Sequence, residues 1–417
     1  MKKTFFPKLI LVLLTVLAMV PSSAEAKKKK FDKPSSRAVY HNNQGVTAMY
    51  EGNFDRAVFE LKTAVELEPK YLEGWNNLGL AYKYKGRYED AINALQKAIE
   101  MDKKYASPYN HLGAIYYDQK RYDEALKQFE MAIKYNKKFA DAYYNRALTY
   151  VAMSYTKNTE ALNSATSDLK QATDLNPDHP YAHNELAKIY QRKGEFELAI
   201  IRYKLALEIN PNLTESWNNL ATLYNQTGQP LKAQEALNHA LRKEPNSAHT
   251  HMNLGISYLK EKNYPLALRE FDTVIRSTPT NEMAYFNVGF VHYQMGLDAK
   301  NNGMVDKAKT ELEEAIKAFI SAFKLKPNFG DAAYNAAYAY QTLNDIPNAI
   351  VWFEKALQAQ PDNIRASYGL GSVYEAQGDM PKAKKYYCDF LKVGKTTELQ
   401  VDVKRIEQVV SQAGGCK

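Results

Sequence analysis

Prolines recur along this chain at a fixed interval, and that interval decides what the chain can fold into. Pro177, Pro211, Pro245 and Pro279 stand 34 residues apart, as do Pro327 and Pro361. Pro279 to Pro327 is 48 residues, one period plus 14, and Pro69 to Pro177 is 108, three periods plus six. One period with two insertions accounts for all seven, with Lys103 and Lys137 in the proline slot of the two units between Pro69 and Pro177. A period of this length marks one supersecondary unit, repeated until neighbours bury what a single unit leaves exposed. Each unit of such an array touches only its neighbours, so 417 residues do not imply the two or three globular domains that length alone suggests.

The other slots keep the same beat. A small residue recurs at Gly45, Gly79, Gly113, Ala147, Ala187, Ala221, Gly255, Gly289, Ala337 and Gly371. Three residues later an aromatic usually follows, as at Tyr82, Tyr116, Tyr150, Tyr190, Tyr224 and Tyr258. A second alanine recurs at Ala57, Ala91, Ala125, Ala165, Ala199, Ala233, Ala267, Ala315, Ala349 and Ala383, with a large apolar residue such as Leu95, Phe129 or Phe271 four positions on. Spacings of three and four place these residues on one stripe of a helix. Gly or Ala lets two helices approach, and the large side chain fills the space beside that contact. Polar breaks such as Tyr84-Lys85-Gly86-Arg87 separate paired helices, and Pro230, Pro265, Pro347 and Pro381 fall in the first turn of second helices, where the missing N–H costs nothing.

Trp75, Leu78, Gly79, Tyr82, Ala91, Leu95 and Ala98 together resemble the tetratricopeptide repeat. So do Trp217, Leu220, Ala221, Tyr224, Ala233, Leu237, Ala240 and Pro245. The resemblance runs from residue 38 to about 397 and implies an all-α, right-handed superhelical solenoid of about ten helix hairpins with a concave groove. It does not imply a particular partner. The six-residue insertion falls near residues 154–162 and the fourteen-residue one near 297–310, both between the two helices of a unit. Each reads as a longer hairpin or loop, or as a ridge that contacts a partner. Leu399, Val403, Ile406 and Val410 form one apolar stripe in residues 398–417, which predicts a capping helix followed by a tail.

The first 26 residues read as an export signal: Lys2 and Lys3, an apolar run from Leu9 to Val20, and Ala24-Glu25-Ala26 as a cleavage pattern. Cleavage after Ala26 removes three lysines and one glutamate, so the formal charge falls from +8 to +6. The expected product is exported, periplasmic or extracellular, and soluble. It starts with a basic stub, residues 27–37, whose Lys27, Lys28, Lys29 and Lys30 are the one place where membrane contact is expected. The remaining charges are of mixed sign, and no nucleic-acid partner is expected. Two cysteines in an exported chain, Cys388 and Cys416, are a disulfide candidate, because a capping helix running back along the last repeat helix brings the tail toward Cys388. Free thiols or an intermolecular bond are the alternatives.

Binding chemistry is sought on the first helix of each hairpin. Two residues before the Gly/Ala slot stand Asn43, Asn77, Asn145, Asn219, Asn253, Asn287 and Asn335, with His111, Glu185 and Gly369 in the other three units. An amide carries both donors and an acceptor, so such a row can hold a peptide backbone without reading its sequence. In long superhelices of this family a similar row has that role, and the resemblance implies it here; bonding within the array is the alternative. Phe286, Phe290, Tyr293, Tyr334 and Tyr338 make the later units more aromatic, as hot-spot anchors or as helix packing. No phosphate loop, nucleophile elbow or H-E-x-x-H motif occurs, so no enzyme activity, cofactor or metal is expected. The expected function is an extracytoplasmic scaffold that binds a protein or peptide in its groove, for a cell-envelope assembly such as pilus, secretion, motility or polysaccharide-export machinery. The alternative is a regulatory or substrate-presenting subunit of an envelope enzyme.

Overall fold

A computed structural model describes residues 33–154, 160–393 and 403–416. The expected export signal, Lys27 to Lys30 and Leu399 lie outside the described residues. Every regular element among the described residues is a helix. The chain divides into two compact units, the division falling between Asn210 and Pro211. The first unit holds α1 (Ser36–Tyr50), α2 (Phe54–Leu67), α3 (Leu72–Tyr84), α4 (Tyr88–Met101), α5 (Ala106–Asp118), α6 (Tyr122–Tyr135), α7 (Ala140–Ser154), α8 (Glu160–Leu175), α9 (Pro180–Arg192) and α10 (Phe196–Ile209). The second holds α11 (Thr214–Gln226), α12 (Pro230–Lys243), α13 (Ala248–Lys260), α14 (Tyr264–Ser277), α15 (Glu282–Asn301), α16 (Val305–Leu325), α17 (Gly330–Thr342), α18 (Ile346–Ala359), α19 (Ile364–Ala376), α20 (Met380–Val393) and α21 (Val403–Gln412). Odd and even helices pair into hairpins, and each even helix packs on the following odd one within its unit, which makes an all-α repeat solenoid.

The repeated slots are the hairpin contacts. A Cβ placed on Gly113 would sit 2.5 Å from the Phe129 ring, so α5 and α6 meet at a distance that only a hydrogen side chain permits. The recurrent alanines from Ala57 to Ala383 are fully buried. Ring N–H groups four residues before the small slot tie successive hairpins together: Trp75 Nε1 donates to the Pro69 carbonyl and Trp217 Nε1 to the Pro211 carbonyl, both at 2.9 Å. His251 Nε2 lies at the same distance from the Pro245 carbonyl. On α1 the stripe that matches the buried Leu78 and Ala81 of α3 carries Gln44 and Thr47, so that side of α1 is polar.

Among the described residues, hairpin turns close with a left-handed residue that lets the chain reverse and satisfies the last carbonyls of the first helix. Glycine fills this position at Gly52, Gly86, Gly194, Gly228, Gly303 and Gly378, but Lys120, Lys262 and Asn344 fill it elsewhere, with φ of 62°, 57° and 63°. A side chain in that region costs about 1–2 kcal/mol. Lys120→Gly is therefore expected to raise stability by about 1 kcal/mol net of the extra backbone entropy of glycine, measured as a shift in the denaturation midpoint at unchanged slope.

The fourteen-residue insertion is helical throughout. α15 has 20 residues and α16 has 21, against 13 and 14 in hairpins such as α3–α4. Each helix gains seven residues, two turns. Gly296 and Leu312 face one another in the added part as Gly289 and Phe319 do below it. The extension braces itself on both neighbours: the Tyr264 hydroxyl donates to Asp298 at 2.7 Å, and Lys300 Nζ to the Thr342 carbonyl at 3.4 Å. In the fourth hairpin α7 and α8 are 15 and 16 residues long, and residues 155–159 between them lie outside the described residues.

At the C-terminal end α21 packs on α20, with Ile406 and Val410 buried in a cluster that includes Tyr387 and Phe390. Cys388 and Cys416 are joined by a disulfide, their Cα atoms 5.7 Å apart.

Candidate functional site

Within each unit the first helices also meet one another: α1 with α3, α3 with α5 and α5 with α7 in one, α11 with α13, α13 with α15 and α17 with α19 in the other. Their side chains thus share a face along α1, α3, α5 and α7 in one unit and along α11, α13 and α15 in the other, which the Tyr293–Tyr338 ring contact carries on to α17.

The asparagine row is tied into the array. Asn77 Nδ2 donates to Asn42 Oδ1 at 3.0 Å, Asn145 Nδ2 to Asn110 Oδ1 at 3.0 Å and Asn253 Nδ2 to Asn218 Oδ1 at 3.4 Å. Asn287 Nδ2 approaches Met252 Sδ at 3.1 Å. Each bond reaches back 35 residues, from one first helix to the one before, and its acceptor among the asparagines is buried. Asn335 Nδ2 donates instead to the Asp331 carbonyl of its own helix, at 2.7 Å. Asn43 is exposed and Asn219 half-buried. An amide has two donors and two acceptor lone pairs, so a residue such as Asn145 keeps a second hydrogen after the inter-repeat bond is made. The row is first a staple between hairpins, and only its remaining valences are left for other partners.

Where the row is interrupted, the staple is missing. His111 stands in the asparagine slot of the third hairpin, and Asn76 Oδ1 is buried with no partner among the described residues. The His111 ring is itself buried, near the Ser107 hydroxyl at 3.3 Å. Burial and, next, the Lys83 cation push its pKa down to about 3, so the ring is neutral. Lys83 pairs with Asp118 across α3 and α5 at 3.1 Å.

On α15 and α17 of the second unit the face turns aromatic. Phe286, Phe290 and Tyr334 are partly buried, and Tyr293 is 8% exposed, its hydroxyl 3.4 Å from Thr342 Oγ1. Tyr338 is 43% exposed and stacks on Tyr334, ring centres 6.0 Å apart. Burial, with Tyr338 close by, pushes both Tyr293 and Tyr334 up to about 12, so the cluster stays uncharged at ordinary pH. Phe286 and Tyr293 thus serve packing with most of their surface, and Tyr338 presents the largest free ring of the five.

Sequence reasoning passed over the clamps inside hairpins. His41 Nδ1 meets Glu60 at 2.7 Å, His251 Nδ1 meets Glu270 at 2.6 Å and His292 Nδ1 meets Glu311 at 2.7 Å, each pair 19 residues apart. The recurring interval of 19 was the signal for them. Arg146 and Asp168 form a two-pronged pair at 2.7 and 2.8 Å. Among the described residues no group of three metal-capable side chains occurs, and no helix is long and apolar enough to cross a membrane.

Family models match along the chain. One described as TPR repeat matches residues 81–120, 113–154 and 342–378. Three described as Tetratricopeptide repeat match 60–93 and 203–235, 180–213, and 38–71 and 364–393. No curated protein matches. Similar solved structures include YrrB, described as a TPR protein with an unusual peptide-binding site, at 23% identity over 46% of this chain and 96% of that one, TM-score 0.41. A tetratricopeptide repeat protein from Parabacteroides merdae shares 18% identity over 65% and 97%, TM-score 0.49. PilF of Pseudomonas aeruginosa shares 20% over 51% and 95%, TM-score 0.45.

Proposed function

This chain is a tetratricopeptide repeat protein, and from that premise we propose that it is an exported scaffold whose second unit binds a partner polypeptide on the face shared by α13, α15 and α17. The observation that carries the reading is the uncharged aromatic surface there, which ends in the exposed Tyr338 ring beside Tyr334. Buried aromatic anchors dominate binding energy at protein interfaces, and a tyrosine gives large contact area together with a hydroxyl that still needs a partner. The first unit offers amides and the Lys83–Asp118 pair on its own shared face and suits a polar peptide backbone. Export is supported by the signal-like first 26 residues and by the disulfide, since such bonds persist in oxidising compartments. A cell-envelope assembly is the setting this reading favours.

Crosslinking mass spectrometry in cells tests it. Tyr338→Ala, which removes an exposed ring, is expected to weaken capture of the partner at least tenfold, about 1.4 kcal/mol or more at an anchor position, while circular dichroism stays unchanged. Asn219→Ala, on a half-buried amide of α11, is expected to leave capture within twofold. An unchanged set of crosslinked proteins in the Tyr338→Ala strain rejects the aromatic face as the binding element.

A further inference from the structure

We propose that the Cys388–Cys416 bond is an exchangeable latch, in which Cys416 is the sulfur that a protein dithiol attacks and whose opening frees α21 from the end of the array. The two sulfurs are unequally placed. Cys388 sits within α20 and is 8% exposed, whereas Cys416 is exposed on the tail beyond α21. That tail reaches it through Gly414 and Gly415, whose φ values of 92° and 71° favour glycine. Exposed disulfides are the labile members of their class, and exchange depends on which sulfur an incoming thiolate can reach and on how well the other leaves.

A cation stands one turn from the leaving sulfur on the same helix. Lys384 lies one turn before Cys388 on α20, a spacing that puts both on one side of the helix. Its Nζ donates to the Ala413 carbonyl at 3.0 Å, three residues from Cys416. A thiolate of the dithiol attacks Cys416 Sγ and forms a mixed disulfide; the Sγ–Sγ bond to Cys388 breaks, and its electron pair leaves on Cys388 as a thiolate held near Lys384. The second thiol of the reductant then attacks its own sulfur in the mixed disulfide and releases Cys416. The dithiol ends as a disulfide, and the two cysteines end as thiols after taking up two protons.

Among the described residues, the other contacts that hold α21 are small. It is 10 residues long, below the length at which an isolated helix persists in water. Ile406 and Val410 are its buried side chains, with Val403 and Val409 partly covered. Arg405 forms a forked pair with Glu375 at 2.9 and 3.1 Å, but the arginine is half exposed, and pairs of that kind contribute about 1 kcal/mol or less. Once the latch opens, the apolar face of α20 around Tyr387 and Phe390 loses its cover. This inference stands independently of the binding face on α13, α15 and α17.

The test uses the full chain in its folded state. Glutathione, a monothiol, followed by acid quench and mass spectrometry, is expected to leave the mixed disulfide on Cys416. Dithiothreitol is expected to open the bond less than a hundredfold more slowly than it does in denaturant, and Lys384→Gln to slow that opening several-fold. Hydrogen exchange after reduction is expected to show protection lost in α21 and kept in α11 to α18. Glutathione found on Cys388, opening a hundredfold or more slower than in denaturant, an unchanged rate in Lys384→Gln, or full protection of α21 after reduction overturns the latch.

Discussion

Arg146→Leu is expected to destabilise the fourth hairpin by about 3–5 kcal/mol, the usual cost of stripping one partner from a buried ion pair. Arg146 takes the slot before the small residue, where most other hairpins have leucine: Leu78, Leu112, Leu186, Leu220, Leu254 and Leu370. Its guanidinium reaches Asp168, which is 6% exposed, through two hydrogen bonds of 2.7 and 2.8 Å. That carboxylate holds the guanidinium pKa above its ordinary value. Leucine alone leaves the Asp168 charge buried without a counter-ion. The double variant Arg146→Leu/Asp168→Ala removes both charges and restores the residues that the second hairpin has at Leu78 and Ala94. It is expected to lie within about 1 kcal/mol of the parent or above it, since buried pairs are often replaced by apolar residues without loss. Stability is to be read locally, by hydrogen exchange in α7 and α8, because arrays of repeats need not unfold as one. A double variant as unstable as the single one overturns the account.

Acid should weaken the first unit through His111. The folded ring has its pKa pushed down to about 3, by burial first and by Lys83 second, while the same side chain in the unfolded chain titrates near 6.5. Between those values the unfolded state binds a proton that the folded state does not, so stability falls as pH falls through this window. Above pH 6.5 both states are neutral and the term vanishes. A gap of about 3.5 pH units corresponds to about 5 kcal/mol by pH 3. His183, lowered chiefly by burial, acts in the same direction. His111→Asn removes the titrating group and puts an amide in the slot from which Asn145 bonds to Asn110, so it also offers Asn76 Oδ1 a donor. The variant is expected to match or exceed the parent by about 1 kcal/mol at pH 7 and to lose far less stability in denaturant titrations between pH 6.5 and 3. Equal acid loss in both proteins refutes the assignment to His111.

Much of this architecture is legible in the sequence because its main contacts recur at short spacing. Gly113 and Phe129 occupy slots that repeat ten times, and a period survives variation at any one copy. The asparagine row is legible as a row, but not what it bonds to. Asn77 reaches Asn42 across a hairpin boundary, and a slot pattern states which residues recur without stating how one helix rotates against the next. The interrupted rung is harder still, since His111 looks like one substitution among ten and its consequence appears at Asn76 in the neighbouring unit. The division of the chain into two compact units at Asn210 leaves no trace, because Pro211 keeps the 34-residue beat. Exposure also separates residues that the pattern treats alike: Tyr293 is buried and Tyr338 is not, though both lie on first helices of the same stretch.

The tall hairpin formed by α15 and α16 shows in what increments such an array can grow. Seven residues come within about 20° of closing two turns, so seven added to each helix return every side chain to nearly its former bearing, and Gly296 can answer Leu312 where Gly289 answers Phe319. Three or four residues added to each helix would rotate the new segment by a single turn's remainder and end the pairing of small with large. The height of this hairpin therefore grows by a whole step of two turns, like the tread of a staircase. An engineer who wants a taller or shorter wall at this place should insert or remove whole heptads in both helices at once.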